Sequence, residues 1–507
     1  MKIFSASQIR AWDAYTIENE PVASLELMNR ASQVFVNWFA KQYPDQERRV
    51  IVCCGTGNNG GDGLAVARML HLANYEAKVL VCDFAGRHST DFDAQISLNR
   101  KITRLDMVFC STAQDLQDKW NVSAVENQLC IDALFGSGLS RPLTGEWAAA
   151  IEFLNGSGAD MVSIDLPSGL FCDLTSVGNA VIEANQTFSF ERPKLAFFFP
   201  ENASYTGDWL IESIGLHPAF DQQTTSDLFY LDDEHASCLI LKRDKFAHKG
   251  SFGKALLICG SKGKIGAAVL AARGCLRSGA GLVTIHAPSC GLDILQTAVP
   301  EAMVSVDEHP DYLTMLPDLE GFTGIGVGPG IGQNDLTVGA LSELISKFNK
   351  PMVLDADALN ILSKNRRVLT KLPKDSILTP HVKEFERLFG KTDHDFERNE
   401  LQRKFAVELG LFIILKGAHT AIACPDGTCW FNSTGNPGMA TGGSGDVLTG
   451  ILCGLLAQGY DPKTSCLLGV FLHGRAADIA ILDMGMEALI AGDLPEYLGE
   501  AWISVQT

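Results

Sequence analysis

What most constrains the fold of this 507-residue chain is a unit that recurs along it: a short apolar run, a turn carrying glycine or aspartate, then a helical pattern. Short buried strands alternating with helices build α/β layers, and in a parallel sheet the carboxyl ends of the strands share one edge. Val50–Cys54 runs into GTGNNGGDG at 55–63, which reads as a loop, and a helix is expected over 64–72. Residues 129–131 lead to Asp132 and the turn 136–142, and residues 161–164 lead to Asp165 and Pro167-Ser168-Gly169. Ahead of these, apolar positions at helical spacing over residues 5–40 predict two opening helices broken near Pro21.

The rhythm lapses between His217 and Arg243, where residues 221–227 are polar, and then restarts. A strand is expected over 255–259, a loop GSKGKIGAA over 260–268, a helix through 271–276 and a strand near 283–286. The glycine run 324–332 follows, then a strand at 352–354 into Asp355, the turn Thr379-Pro380-His381, and an apolar run at 412–416 into GAHTA. A chain this long is expected to form two domains, 1–221 and 222–507. Lys+Arg 41 against Asp+Glu 60 gives a net charge of -19, which excludes a surface that tracks nucleic acid or anionic lipid. The 14 cysteines are scattered with no C-x-x-C pair, so they read as thiols in a reducing compartment. The N-terminus reads as neither signal nor transit peptide, and no apolar run approaches the roughly 20 residues that span a bilayer. A cytoplasmic protein acting on small molecules, with no nucleic-acid or membrane partner and a homo-oligomeric assembly, is expected.

The stretch GNPGMATGGSGDVLTGIL at 435–452 carries the chemistry of the second half. Gly442, Gly443 and Gly445 let backbone N–H groups face an anion, and the helix expected over 447–456 points its positive end at the same place. Asp446 beside such an anion reads either as a base for a substrate hydroxyl or as a helix cap, and these residues alone leave both readings open. In the first half one aspartate at a strand end is usually a cap, but Asp132 and Asp165 beside GNNGGDG point to a shared crevice. Asn59, Asp132 and Ser168 offer only oxygen ligands, which suits a hard cation. Lys416 and His419, taken singly, read as solvated turn residues.

Together these motifs resemble the bifunctional NAD(P)H-hydrate repair enzymes, an epimerase fused to an ADP/ATP-dependent dehydratase, over nearly the full length. The resemblance rests on GTGNNGGDG, on Asp132 with GSGLSRPLTG and on SIDLPSG in the first half. In the second half it rests on HKGSFG, GSKGKIGAA, GVGPGIG, DADALN, TPH, LKGAHT and NPGMATGGSGDVLTG. It implies two three-layer α/β/α domains, the N-terminal one Rossmann-like and the C-terminal one ribokinase-like. Asn58, Asn59, Gly60, Gly61 and Asp62, with Gly136, Ser137, Gly138, Leu139, Ser140, Arg141, Pro142 and Asp165, would hold the hydrated nucleotide. Potassium would sit on Asn59, Asp132 and Ser168, and Asp165 would be the acid/base of epimerisation. In the second domain Ala267, Gly330, His381 and Asp446 would line the substrate, with Asp446 as catalytic base. Lys416, Gly417, Ala418, His419, Thr420, Ala421 and Gly445 would surround ADP or ATP, which brings magnesium. The rival reading is a ribokinase-like small-molecule kinase carrying a non-catalytic N-terminal binding module.

Overall fold

A computed structural model describes residues 1–120 and 128–506. The chain divides into two compact units, Lys2–Ser226 with His394–Phe396, and Met1 with Asp227–Asp393 and Glu397–Thr507.

The first unit opens with the helices Ala6–Asn19 and Ser24–Gln42, the former held by a capping box between Ser5 and Gln8. Its strands are β1 (Val50–Cys54), β2 (Ala77–Cys82), β3 (Asp106–Cys110), β4 (Leu129–Ala133), β5 (Asp160–Ile164), β6 (Gln186–Phe190) and β7 (Asp208–Glu212). They form one parallel sheet in the order β3-β2-β1-β4-β5-β6-β7. Every residue of β1 is buried because both faces are covered. Val50, Val52 and Cys54 pack with Phe35, Leu64 and Phe92 on one side, while Ile51 and Cys53 pack with Leu116 and Ile151 on the other. The strand order reverses between β1 and β4, and the crevice at such a point, beyond the carboxyl ends, is where doubly wound sheets bind ligands.

GNNGGDG is not the loop that its glycines suggest. The helix starts at Asn58 and runs to Leu72. A Cβ on Gly60 would stand 1.8 Å from the Gly55 carbonyl oxygen, and one on Gly63 would stand 2.5 Å from the Cβ of Ala133. These glycines let the first turns of the helix lie directly against β1 and β4.

The second unit holds β8 (Leu228–Leu231), β9 (Lys254–Ile258), β10 (Leu282–Pro288), β11 (Met303–Asp307), β12 (Gly324–Val327), β13 (Met352–Leu354), β14 (Ile377–Leu378), β15 (Phe412–Leu415), β16 (Ala421–Ala423) and β17 (Cys429–Asn432). The sheet order is β11-β10-β9-β12-β13-β14-β15-β16-β17-β8, with β16 antiparallel to both neighbours. One face packs on the helices Ile265–Arg277, Ser444–Ala457, Pro462–Met484 and Leu494–Gln506. On the other, the helix Asp335–Lys347 sets Ala340, Leu341 and Leu344 against Ile258 and Val327. Both units are thus the α/β/α layers expected, Rossmann-like and then ribokinase-like.

Three local expectations are corrected. The stretch after His217 holds the helices Pro218–Gln223 and Asp233–Ser237 and strand β8, because Phe220 packs on Trp12 and β8 pairs with β17. GSKGKIGAA becomes helical already at Ile265, which is buried in the core. The helix Pro462–Met484 is long and apolar enough by composition to cross a membrane, and 72% of its apolar window is buried inside the unit.

Candidate active sites

A cavity of about 540 Å³ opens at the switch point of the first sheet. Asn58, Asn59, Asp62, Gly136, Ser137, Gly138 and Asp165 line it, whereas Leu139, Ser140, Arg141 and Pro142 do not. Gly60 and Gly61 are buried against Gly55 and Met28 and serve packing. Asp165 stands just beyond β5 with φ +67, a left-handed conformation that a non-glycine residue keeps only when its surroundings hold it. The holding group is Lys194, fully buried, whose Nζ lies 2.7 Å from Asp165 Oδ1. The same ammonium donates to Ser189 Oγ at 2.8 Å and to the carbonyls of Phe190 and Arg192 at 3.0 and 3.1 Å.

Other acids share this cavity. Burial, then the charge of Asp165 with that of Glu191, raises the Asp13 carboxyl to about 7, while Lys194 pulls it the other way. Burial and the neighbouring Asp165, Asp13 and Asp91 push Asp62 well above the usual carboxylate range.

Asp132 is completely buried in β4. Its Oδ1 accepts from Ser168 Oγ at 2.5 Å and Leu134 N–H at 3.2 Å, and its Oδ2 from Ser168 N–H and Ser163 Oγ, both at 2.8 Å. No described cationic side chain forms an ion pair with it. Asn59 Nδ2 is buried without a partner, and its Oδ1 faces the Gly136 backbone. Burial raises the Asp132 carboxyl above its ordinary range against four hydrogen bonds from neutral donors, so a single positive charge nearby would favour its ionised form.

The second unit has its own cavity, of about 470 Å³, lined by Ala267, Gly330 and Asp446 with Lys264, Asp357 and Glu384. His381 does not line it. It caps the helix Val382–Phe389, accepting from Lys383 N–H at 3.1 Å, while its own N–H reaches Glu384 at 3.0 Å. Gly443, at φ +100, turns the chain into the helix Ser444–Ala457, and Asp446 falls in the first turn. The first N–H groups of a helix have no partner within it, so this end can receive an anion. His473, which burial holds down to about 4, contacts Ser444 at 3.3 Å and so meets it as a neutral ring.

Beside this turn Lys416 Nζ lies 2.8 Å from Asp355 Oδ1, and Thr449 Oγ1 donates to Oδ2 at 2.9 Å. A Cβ on Gly445 would come within 3.3 Å of that ammonium, so glycine keeps it accessible from the turn. Gly417, Ala418, His419 and Thr420 connect β15 to β16, and Ala421 is already inside β16. Burial, then Asp355, raises the Asp446 carboxyl to about 7, with Lys416 lowering it and Asp357 adding to the rise.

Two family models match the chain, one described as NAD(P)H-hydrate dehydratase over residues 255–499 and one as YjeF-related protein N-terminus over residues 24–196. A bifunctional NAD(P)H-hydrate repair enzyme of Moorella thermoacetica is 36% identical over 98% of this chain and 96% of its own length. The chain belongs to the bifunctional NAD(P)H-hydrate repair enzymes. The family member from Escherichia coli is 31% identical over 97% of this chain and 92% of its own. Among solved structures, an ADP/ATP-dependent NAD(P)H-hydrate dehydratase from Bacillus subtilis, co-crystallised with ATP/Mg2+, is 33% identical, with a TM-score of 0.49 over 55% of this chain and 98% of that one.

Several polar groups of this repair enzyme's cavities carry no motif. Asp13 lies on a largely polar helix where an acid looks like solvent-facing surface, and Lys194 follows β6 with nothing nearby in sequence to mark it. Asp355 and Asp357 did have a signal, since they follow an apolar strand in DADALN, but that pattern does not separate the buried partner of Lys416 from the cavity-lining residue.

Proposed function

We propose that the enzyme interconverts the R and S hydrates of NADH and NADPH at the first cavity and dehydrates the S form at the second. The dehydration runs at the expense of ADP, giving AMP and phosphate, or of ATP. Hydroxide leaves the hydrated ring poorly, so phosphoryl transfer to that hydroxyl turns it into a good leaving group. Asp446 would take the hydroxyl proton, and the N–H groups of the Gly443 turn with Lys416 would receive the transferred phosphate. The observation that carries this reading is a carboxyl raised to about 7, set on the cavity wall in the first turn of a glycine-led helix. A base with that pKa is ionised near neutrality and still basic enough to accept the proton.

In this reading Ala267 and Gly330 give the nicotinamide nucleotide a close backbone surface, while the turn from Lys416 to Ala421 and Gly445 holds the adenine nucleotide. Magnesium would arrive with that nucleotide and neutralise charge on its phosphates. In the first unit Asp165 is the acid/base, and Asn58, Asn59, Asp62 and the Gly136–Gly138 turn hold the substrate. Potassium would sit on oxygens of Asn59, Asp132 and Ser168, where its charge offsets that of Asp132 and orders the start of the Asn58 helix. The free and mostly buried thiols suit the reducing cytoplasm, and the exposed Leu482, Met486 and Ile490 suit burial in a homo-oligomer. The test is to supply hydrated NADH and follow the reduced nicotinamide absorbance with and without ADP. Recovery of both epimers only with nucleotide is expected, and no recovery under any condition overturns the reading.

A further inference from the structure

The first cavity holds a carboxyl that no motif assigns. Asp13 lines it from the helix Ala6–Asn19, while Asp165 lines it from the turn after β5, so the two acids reach one cavity from different elements. Their surroundings differ. Asp165 is tied to the buried ammonium of Lys194 at 2.7 Å. Asp13 has no hydrogen bond or ion pair to any described residue, and Ile9, Ile17, Leu27, Ile214 and Leu216 line the cavity around it. One carboxyl held by an ammonium and a second left without a partner among apolar side chains, both on one cavity, make the unlike pair that acid–base catalysis uses.

The geometry points to Asp13 as the proton donor of epimerisation, paired with Asp165 as proton acceptor. This rests on the reading of the cavity as the epimerase site. The hydroxyl of the hydrate sits on the carbon next to the ring nitrogen. Asp13, as a carboxylic acid, gives its proton to that hydroxyl; the C–O bond breaks, water leaves, and the nitrogen lone pair forms a C=N bond. Water then adds to the same carbon from the other face, the C=N pair returns to nitrogen, and Asp165 takes the proton that the new hydroxyl sheds. One water leaves and one enters, one proton passes from Asp13 and one to Asp165, and solvent exchange resets the pair.

The charged groups bordering the cavity are Asp62 on the Asn58 helix, Asp91 on the helix Thr90–Asn99, Asp165, Glu191 with its partner Arg192, Lys194, and Arg10 on the same helix as Asp13. Burial, then Asp165, raises the Asp13 carboxyl to about 7, with Lys194 opposing and Glu191 adding to the rise, so it carries its proton below that pH. Asp62 is raised as well, by burial and then by Asp165, Asp13 and Asp91. The rate should therefore be full below pH 7 and fall as pH rises through it.

The experiment uses the full chain without nucleotide and follows R-to-S interconversion by chromatography, corrected for the protein-free rate at each pH. Asp13→Asn is expected to lower kcat on the order of 100-fold with little change in KM, and Asp13→Glu to restore part of the rate with the alkaline fall still present. Thermal unfolding of the same preparations reports that the first unit is folded, and ADP-driven dehydration that the second is. If Asp13→Asn turns over like the wild type with an unchanged pH profile, the assignment of Asp13 is overturned while the epimerase reading stands. A wild type that does not interconvert the hydrates overturns both.

Discussion

The two cavities share a plan and differ in how the plan is used. Each has a lysine paired with an aspartate, Lys194 with Asp165 at 2.7 Å and Lys416 with Asp355 at 2.8 Å, and each has a second carboxyl raised to about 7. In the first unit the lysine is fully buried, spends its other donors on Ser189 and two carbonyls, and its aspartate faces the cavity. In the second the aspartate is the buried member, the lysine is partly open, and the raised carboxyl sits at a helix N-terminus. The contrast teaches what each lysine is for. In the proposed reading the buried Lys194 holds Asp165 in place, whereas the partly open Lys416, positioned by Asp355, would meet a phosphate.

The largest effect should come from Asp446→Asn, which keeps the shape of the turn and removes the base. ADP-driven dehydration is expected to fall by a factor on the order of 100 to 10,000, with nucleotide binding and epimerisation retained. Full dehydration activity in that variant would return Asp446 to the role of a helix cap and leave the two cavities without a common plan.

Exchanging the lysines sharpens the comparison. Lys194→Met leaves Asp165 without its partner, so epimerisation should drop roughly 100-fold and the first unit should lose about 3–5 kcal/mol, as expected when one member of a buried pair is removed. Lys416→Met should instead raise KM for ADP, with epimerisation unaffected. Thermal unfolding and separate kinetics for the two reactions distinguish these outcomes, and equal behaviour of the two variants would erase the proposed difference.

The pH profiles form the next contrast. Asp446 must be ionised to accept a proton, so with its carboxyl at about 7 dehydration should approach its plateau about one unit above that pH, stand near half of it at the pKa and fall about tenfold one unit below. Saturating nucleotide and substrate isolate kcat for this measurement. A dehydration rate that rises as pH drops from 8 to 6 contradicts the base assignment.

The sequence made some of this plan legible and hid the rest for physical reasons. Strands such as Val50–Cys54 were plain because a strand buried on both faces is apolar throughout, and Gly443 was plain because its left-handed turn calls for glycine. Gly60 and Gly63 misled, since glycine placed for close packing reads the same as glycine placed for a loop. Lys194 and Asp13 stayed hidden because their meaning lies in contacts across the sheet edge and not in their neighbours in sequence. His381 showed the reverse case: a residue inside a recognisable motif whose ring caps a helix and does not reach the cavity.

The smallest expected effect concerns the cation, and it separates the two centres once more. Asp132 accepts four hydrogen bonds, all from neutral donors, so its buried charge is solvated locally but not cancelled. The second cavity has no such need, because Lys416 and Lys264 already face Asp355 and Asp357 at 2.8 and 3.4 Å. A site with one carboxylate and otherwise neutral oxygens has too little charge to favour a divalent ion strongly, and potassium tolerates the irregular oxygen set that Asn59 and Ser168 provide. Replacing potassium by sodium should therefore slow epimerisation by about fivefold, the scale of a ~1 kcal/mol coupling, mainly through KM because the ion orders the start of the Asn58 helix. The same exchange, with the nucleotide's magnesium kept constant, should leave dehydration unchanged. Asp132→Ala should weaken substrate binding and abolish the difference between the two salts. If that variant keeps the wild-type preference for potassium, the ion acts elsewhere and the buried charge of Asp132 is balanced by its hydrogen bonds alone.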